Sequence, residues 1–92
     1  MINMQSFDPK TLTGAQLRAA RGLLGISAQE LATTSGLGVA TIRRAEQNDA
    51  QVSITAANAR AIVGAFEQSG VEFLAENGGG AGVRFKRTTN SA

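Results

Sequence analysis

The stretch Ser27-Ala-Gln-Glu-Leu-Ala-Thr-Thr-Ser-Gly-Leu-Gly-Val-Ala-Thr-Ile-Arg-Arg-Ala-Glu-Gln47 has the spacing of two short helices joined by a tight turn. In that arrangement Leu31, Ala32, Leu37, Ile42 and Ala45 fall where two crossed helices meet, and Ala32 is small where the backbones come closest. Gly36 supplies the turn, because a residue without a side chain takes positive φ at no steric cost and ends a helix abruptly. Ser27 followed three residues later by Glu30 is a capping box, in which hydroxyl and carboxylate each accept from an orphan N–H at the helix start. Gly38 is the weaker cap of the second helix. One face of that helix, Val39 to Arg44, is left turned outward.

Outward from this stretch the pattern stays helical, then changes. Thr13 with Gln16 makes a second capping box, and Leu17, Ala20 and Leu24 recur at helical spacing up to a stop at Gly25. Asn48 to Ser53 is a polar connection. From the N-cap Thr55, the residues Ala59, Ile62, Val63 and Phe66 follow i, i+3, i+4, i+7 spacing until Gly70, which predicts a fourth helix packed against the first and third. After Gly70 the period becomes two. Val71, Glu72 and Phe73 alternate, as do Val83, Arg84, Phe85 and Lys86, around a glycine-rich connection from Ala75 to Gly82. Pairing these segments puts Val71, Phe73, Val83 and Phe85 on one face and Glu72 opposite Arg84 or Lys86 on the other.

A two-stranded hairpin is marginal in water, so that apolar face needs a cover. Folding back on Ile62 and Phe66 is one arrangement. Pairing with the same elements of a second chain is the preferred one, which makes 71–87 the candidate dimerisation element. Residues 1–9 lack periodicity and Pro9 disfavours helix in the residue before it, so a mobile arm is expected there, and 88–92 are expected to be a disordered tail.

Composition narrows the function classes. A chain of 92 residues that is 42% hydrophobic suits one small domain with a single core. No apolar run approaches the ~18 residues of a membrane span, and the polar start from Met1 to Lys10 is not a secretory signal; a cytoplasmic protein is expected. Cysteine and histidine are both absent, which removes disulfides, thiolate chemistry, zinc fingers and histidine general bases. No enzyme, cofactor or metal site is expected. The glycine run is no phosphate loop, since Gly82 leads into Val83-Arg84 and not into lysine followed by Ser or Thr. The net charge of +2 is small, but Arg18, Arg21, Arg43 and Arg44 make the central stretch basic while Glu67, Glu72 and Glu76 make the following segment acidic.

Arg21, Leu24-Gly25, Ser27, Glu30-Leu31-Ala32, Gly36, Thr41-Ile42 and Glu46 together resemble the Cro/lambda-repressor-type helix-turn-helix family, often called the Xre family. The resemblance covers residues 13–47 and extends to about Gly70. It departs at Ala28, where many members have a phosphate-contacting glutamine, and at Gly38, where Ser or Thr is usual. The resemblance implies that Arg21 pairs with Glu46 and ties the first helix to the end of the third. It also implies that Val39, Ala40 and Arg44 meet base edges in a major groove, with Arg44 able to donate two parallel hydrogen bonds to guanine O6 and N7. Gln29, Gly38, Thr41 and Arg43 then fall to the phosphates, helped by backbone N–H groups at helix N-termini.

The expected fold is mainly α: a compact four-helix lambda-repressor-like helix-turn-helix domain over 10–70 with a C-terminal β-hairpin. The expected function is that of a sequence-specific double-stranded DNA-binding transcriptional regulator, which reads the major groove with helix 38–47 as a homodimer on a two-fold operator. Two alternatives stand beside it. One is an antitoxin that represses its own operon and binds a toxin protein; the other is a protein-interaction module that has lost DNA binding.

Overall fold

A computed structural model describes residues 7–86, and its helices begin and end on the caps the sequence supplies. Helix α1 (Gly14–Leu24) starts at Thr13, whose hydroxyl accepts from the Gln16 N–H at 3.1 Å while Gln16 Oε1 accepts from the Thr13 N–H at 3.0 Å. Helix α2 (Ala28–Ser35) repeats the device, with Ser27 Oγ accepting from the Glu30 N–H at 3.0 Å and Glu30 Oε1 from the Ser27 N–H at 2.8 Å. Both helices stop on a left-handed glycine, Gly25 at φ 67° and Gly36 at φ 76°. Helix α3 (Val39–Ala45) has no side-chain cap, because Gly38 has none to offer. Helix α4 (Ala56–Gln68) starts on Thr55, whose hydroxyl accepts from the Asn58 N–H at 3.1 Å.

One core joins all four helices. Leu17 and Ala20 from α1, Leu31 and Ala32 from α2, Ile42 and Ala45 from α3, and Ile62, Val63 and Phe66 from α4 are all buried. Burying a large aliphatic or aromatic side chain stabilises the fold by about 1.5–3 kcal/mol, so these positions supply most of the drive to compact. Leu37 in the turn is half-buried and packs against them. Leu12 joins the core from the short 3-10 turn Pro9–Thr11, which Asp8 caps by accepting from the Lys10 N–H at 3.0 Å.

The antiparallel strands β1 (Val71–Leu74) and β2 (Gly82–Phe85) pair Val71 with Phe85, Glu72 with Arg84, Phe73 with Val83 and Leu74 with Gly82. Part of their apolar face is covered within the chain, in the fold-back arrangement set beside the expected second-chain cover. Val71 and Phe73 are buried in this chain's own core, and Phe73 meets Phe66 edge-on with ring centroids 5.7 Å apart. The cause is local. Gly70 at φ 90° turns the chain sharply after α4, and the Lys86 N–H donates to Gly70 O at 2.7 Å, so the hairpin leaves the helix already folded against it. Gln16 then fastens the other end: its Nε2 donates to Leu74 O at 3.1 Å and to Gly82 O at 3.0 Å. Val83 is half-buried against the core, whereas Phe85 is exposed.

Residues 7–9 of the expected N-terminal arm are held in the fold. Phe7 stacks on Phe73 at 5.4 Å, and Asp8 and Pro9 form the start of the 3-10 turn. Residues 1–6, Arg87 of the expected hairpin segment and the expected tail 88–92 lie outside the described residues.

Two glycines of α1 have opposite surroundings, which makes them a test of the packing. A Cβ on Gly14 would sit 2.0 Å from Asn48 O and 2.9 Å from Ala45 O, both backbone atoms, whereas a Cβ on Gly22 would meet nothing within 4 Å. Gly14→Ala is expected to cost roughly 1–3 kcal/mol or more by forcing α1 off the end of α3. Gly22→Ala should instead stabilise the helix by about 0.4–1 kcal/mol. Thermal melts of the two variants should therefore shift in opposite directions.

Candidate nucleic-acid interface

The outward face of α3 follows from what α2 buries. The Leu37 N–H donates to Ala32 O at 3.0 Å past the Gly36 turn, which seats α3 across α2 with Ile42 and Ala45 facing inward. At about 100° per residue, the opposite arc of α3 carries Arg43, Ala40 and Arg44, all exposed, with Gln47 exposed just beyond the helix. Val39 and Thr41 are half-buried at the two rims of this arc, and Val39 packs against the core. Val39 thus stands at the edge of the face and not in its middle. Gln47 completes the stripe with Ala40 and Arg44, a polar position not among the contact residues expected from the sequence.

Ion pairing divides the four arginines of this region. Arg21 forks onto Glu46, with Nε to Oε2 at 2.7 Å and Nη2 to Oε1 at 2.9 Å, and its Nη1 donates to Ile26 O at 2.9 Å. The side chains of this pair keep 24% and 10% of their surface, so the pair is largely shielded. The Arg21 guanidinium is held above its already high ordinary pKa, first by the hydrogen bonds to Glu46, against the opposing effect of burial, with the carboxylate's charge adding the least. Arg18, one turn earlier, donates Nη1 to Glu46 O at 2.7 Å and pairs with Asp49. Sequence reasoning marked Arg18 only as part of a basic stretch. Its partners lie 28 and 31 positions away, beyond the reach of any local pattern.

Arg43 and Arg44, by contrast, form no ion pair among the described residues. Arg44 lines a shallow cleft with Thr41, Ser53, Ile54, Thr55 and Asn58, between α3 and the start of α4. Gly38 is exposed at the start of α3, whereas Gln29, exposed in the first turn of α2, lines a pocket with Thr33, Ala65, Phe66 and Ser69 toward the end of α4. The acidic residues Glu67, Glu72 and Glu76 belong to the end of α4 and to the hairpin. The cationic groups on α3 without ion-pair partners among the described residues therefore belong to a different element from the acidic segment. No helix among the described residues is long and apolar enough to cross a membrane.

A family model described as helix-turn-helix matches residues 17–73, from Leu17 in α1 to Phe73 in β1. No curated protein matches the chain.

The shielded fork makes a direct prediction about stability. Removing one partner leaves the other charge with its hydrogen bonds unmade, so Arg21→Ala or Glu46→Ala should each cost about 2 kcal/mol. The double variant should be less destabilised than the sum of the two, and a thermal-melt cycle reads the difference. Strict additivity would mean that the two side chains contribute independently.

Proposed function

The chain belongs to the Cro/C1-type helix-turn-helix family of DNA-binding regulators, and from that premise we propose that it recognises a specific double-stranded operator as a homodimer and regulates transcription there. The observation that carries this reading is the division among the arginines: Arg21 and Arg18 are held by partners on other parts of the chain, and the two without carboxylate partners among the described residues sit on the exposed arc of α3. A helix of this width enters a major groove, and its exposed arc is what meets the base edges.

In this reading Arg44 donates two parallel hydrogen bonds to guanine O6 and N7, while Ala40 and the rim residue Val39 fit against a thymine methyl. Arg43, Thr41, Gln29 and the Gly38 backbone hold phosphates and so set the register of the helix without reading sequence. Arg18 and Arg21 keep the end of α3 at a fixed angle to α1. One such reader spans few base pairs. Two copies related by a two-fold axis read two half-sites about 34 Å apart on one face of the duplex.

Fluorescence anisotropy with genomic fragments tests the reading as a whole: a subset of fragments should bind at moderate salt well above the rest. Uniformly weak binding to every fragment would remove the operator and favour a module that binds another protein. At single residues, Arg44→Ala is expected to weaken specific binding by roughly 1–3 kcal/mol and to relax preference at one base position. Arg43→Ala should weaken binding to all sequences alike and make the log-affinity against log-salt slope shallower by about 1. Identical effects of the two substitutions on every DNA would overturn this division of roles.

A further inference from the structure

The glycine-rich connection between β1 and β2 is hydrogen-bonded only at its ends. Gln16 Nε2 donates to Leu74 O at 3.1 Å and to Gly82 O at 3.0 Å, and these two residues are the last pair of the ladder. Between them, residues 75–81 are all exposed, and none makes a backbone hydrogen bond among the described residues.

Asn77 followed by Gly78 stands in this stretch, and it is the single Asn-Gly pair of the sequence. A side-chain amide in that position can be attacked by the next backbone nitrogen, which closes a five-membered ring. Two conditions decide whether it happens: the backbone must rotate to bring that nitrogen to Cγ, and its N–H must be free to give up a proton. Gly78 meets the first, since it lies at φ 104° and, with Gly79 and Gly80 after it, has no Cβ to hinder rotation. It meets the second because its N–H has no acceptor among the described residues.

The other asparagines of the described chain meet neither condition. Asn48 Oδ1 accepts from the Ala50 N–H at 2.9 Å, and the residue after it, Asp49, pairs with Arg18. Asn58 is half-buried in α4, and the N–H that follows it, that of Ala59, donates to Thr55 O at 2.9 Å. Rotation at either place would break bonds that the fold has made.

We propose that Asn77 is a site of spontaneous modification in the folded chain, losing its amide through a succinimide formed with the Gly78 nitrogen and ending as aspartate or isoaspartate. The bond from Gly78 N to Asn77 Cγ forms as the bond from Cγ to Nδ2 breaks, and the proton lost from Gly78 N ends on the departing ammonia. Solvent water then adds to one of the two ring carbonyls. Opening at the side-chain carbonyl gives aspartate, whereas opening at the main-chain carbonyl routes the chain through Cβ and Cγ and gives isoaspartate, one methylene longer. Asn77 lines a cleft with Phe7, Asp8, Thr11 and Arg84, so either product sets a new carboxylate there. With Gln16 holding Leu74 and Gly82, the added backbone length is taken up between them.

Peptide mapping by mass spectrometry tests this on the full chain, kept folded in a mildly alkaline buffer. The Asn77 peptide should gain the mass difference between an amide and an acid before those carrying Asn48 or Asn58, and faster as hydroxide rises. Methyl transfer from S-adenosylmethionine by an isoaspartate-specific methyltransferase should count the isoaspartyl fraction. A Cβ on Gly78 would meet nothing within 4 Å, so Gly78→Ala strains one φ without a clash, and it should slow the loss at least about tenfold. Asn77→Gln should keep its amide over the same period, because closing a six-membered ring freezes one more bond. An Asn77 amide that survives in the folded chain overturns the proposal, whether or not the chain unfolded in guanidinium loses it. Equal loss at Asn48 or Asn58 overturns it too, as does a rate that Gly78→Ala leaves unchanged, which would mean hydrolysis without the ring.

Discussion

Glu46 is where three parts of the chain are made to agree. Its carboxylate takes both arms of the Arg21 fork, its backbone carbonyl accepts from Arg18, and its own N–H closes the last turn of α3 on Ile42 O. Two arginines one turn apart on α1 thus grip the C-terminal end of α3, where helix carbonyls lack partners and positive charge is favoured. The orientation of the exposed arc is set from behind by this grip and from the side by the packing of Ile42 and Ala45 of α3 in the core with α2. With both arginines engaged in the fold, the cationic groups of α3 without ion-pair partners among the described residues are ones that hold nothing together. On the proposed reading, changes at Arg43 or Arg44 alter recognition with little effect on folding, while changes at Arg21 act the other way.

Much of the helical part was legible because its causes are local. The capping boxes at Thr13 and Ser27, and the left-handed stops at Gly25 and Gly36, each depend on residues a few positions apart, so residue type and spacing were enough. The exposure of Arg43 and Arg44 follows from the same periodicity. The pairing of Val71 with Phe85 and Phe73 with Val83 was also legible, since alternation sets which side chains share a face.

What covers that face was not legible. The answer lies in Gly70's turn and in Gln16's reach to Leu74 and Gly82, contacts across 58 and 66 positions. Gly14 was equally silent in the sequence. Its small size is demanded by the carbonyls of Ala45 and Asn48, which come near it only after the helices have packed. Val39 shows the limit of carrying a role over by position: it shares a helix with Arg44, but the core claims part of its surface.

Gln16 separates two side chains that a helix start ordinarily treats as equals. A capping box accepts either glutamine or glutamate at its third position, and Gln16 Oε1 serves the Thr13 N–H as a glutamate oxygen would. Its amide nitrogen, however, donates to two carbonyl oxygens of the hairpin in a buried position. A carboxylate there would cap α1 and at the same time turn a negative oxygen toward Leu74 O and Gly82 O, with no proton to offer them. Hydrolysis of this one amide to an acid would therefore leave the helix start intact and push the sheet away from it, which makes a conversion harmless in an isolated helix into a release of the strands from the helical body.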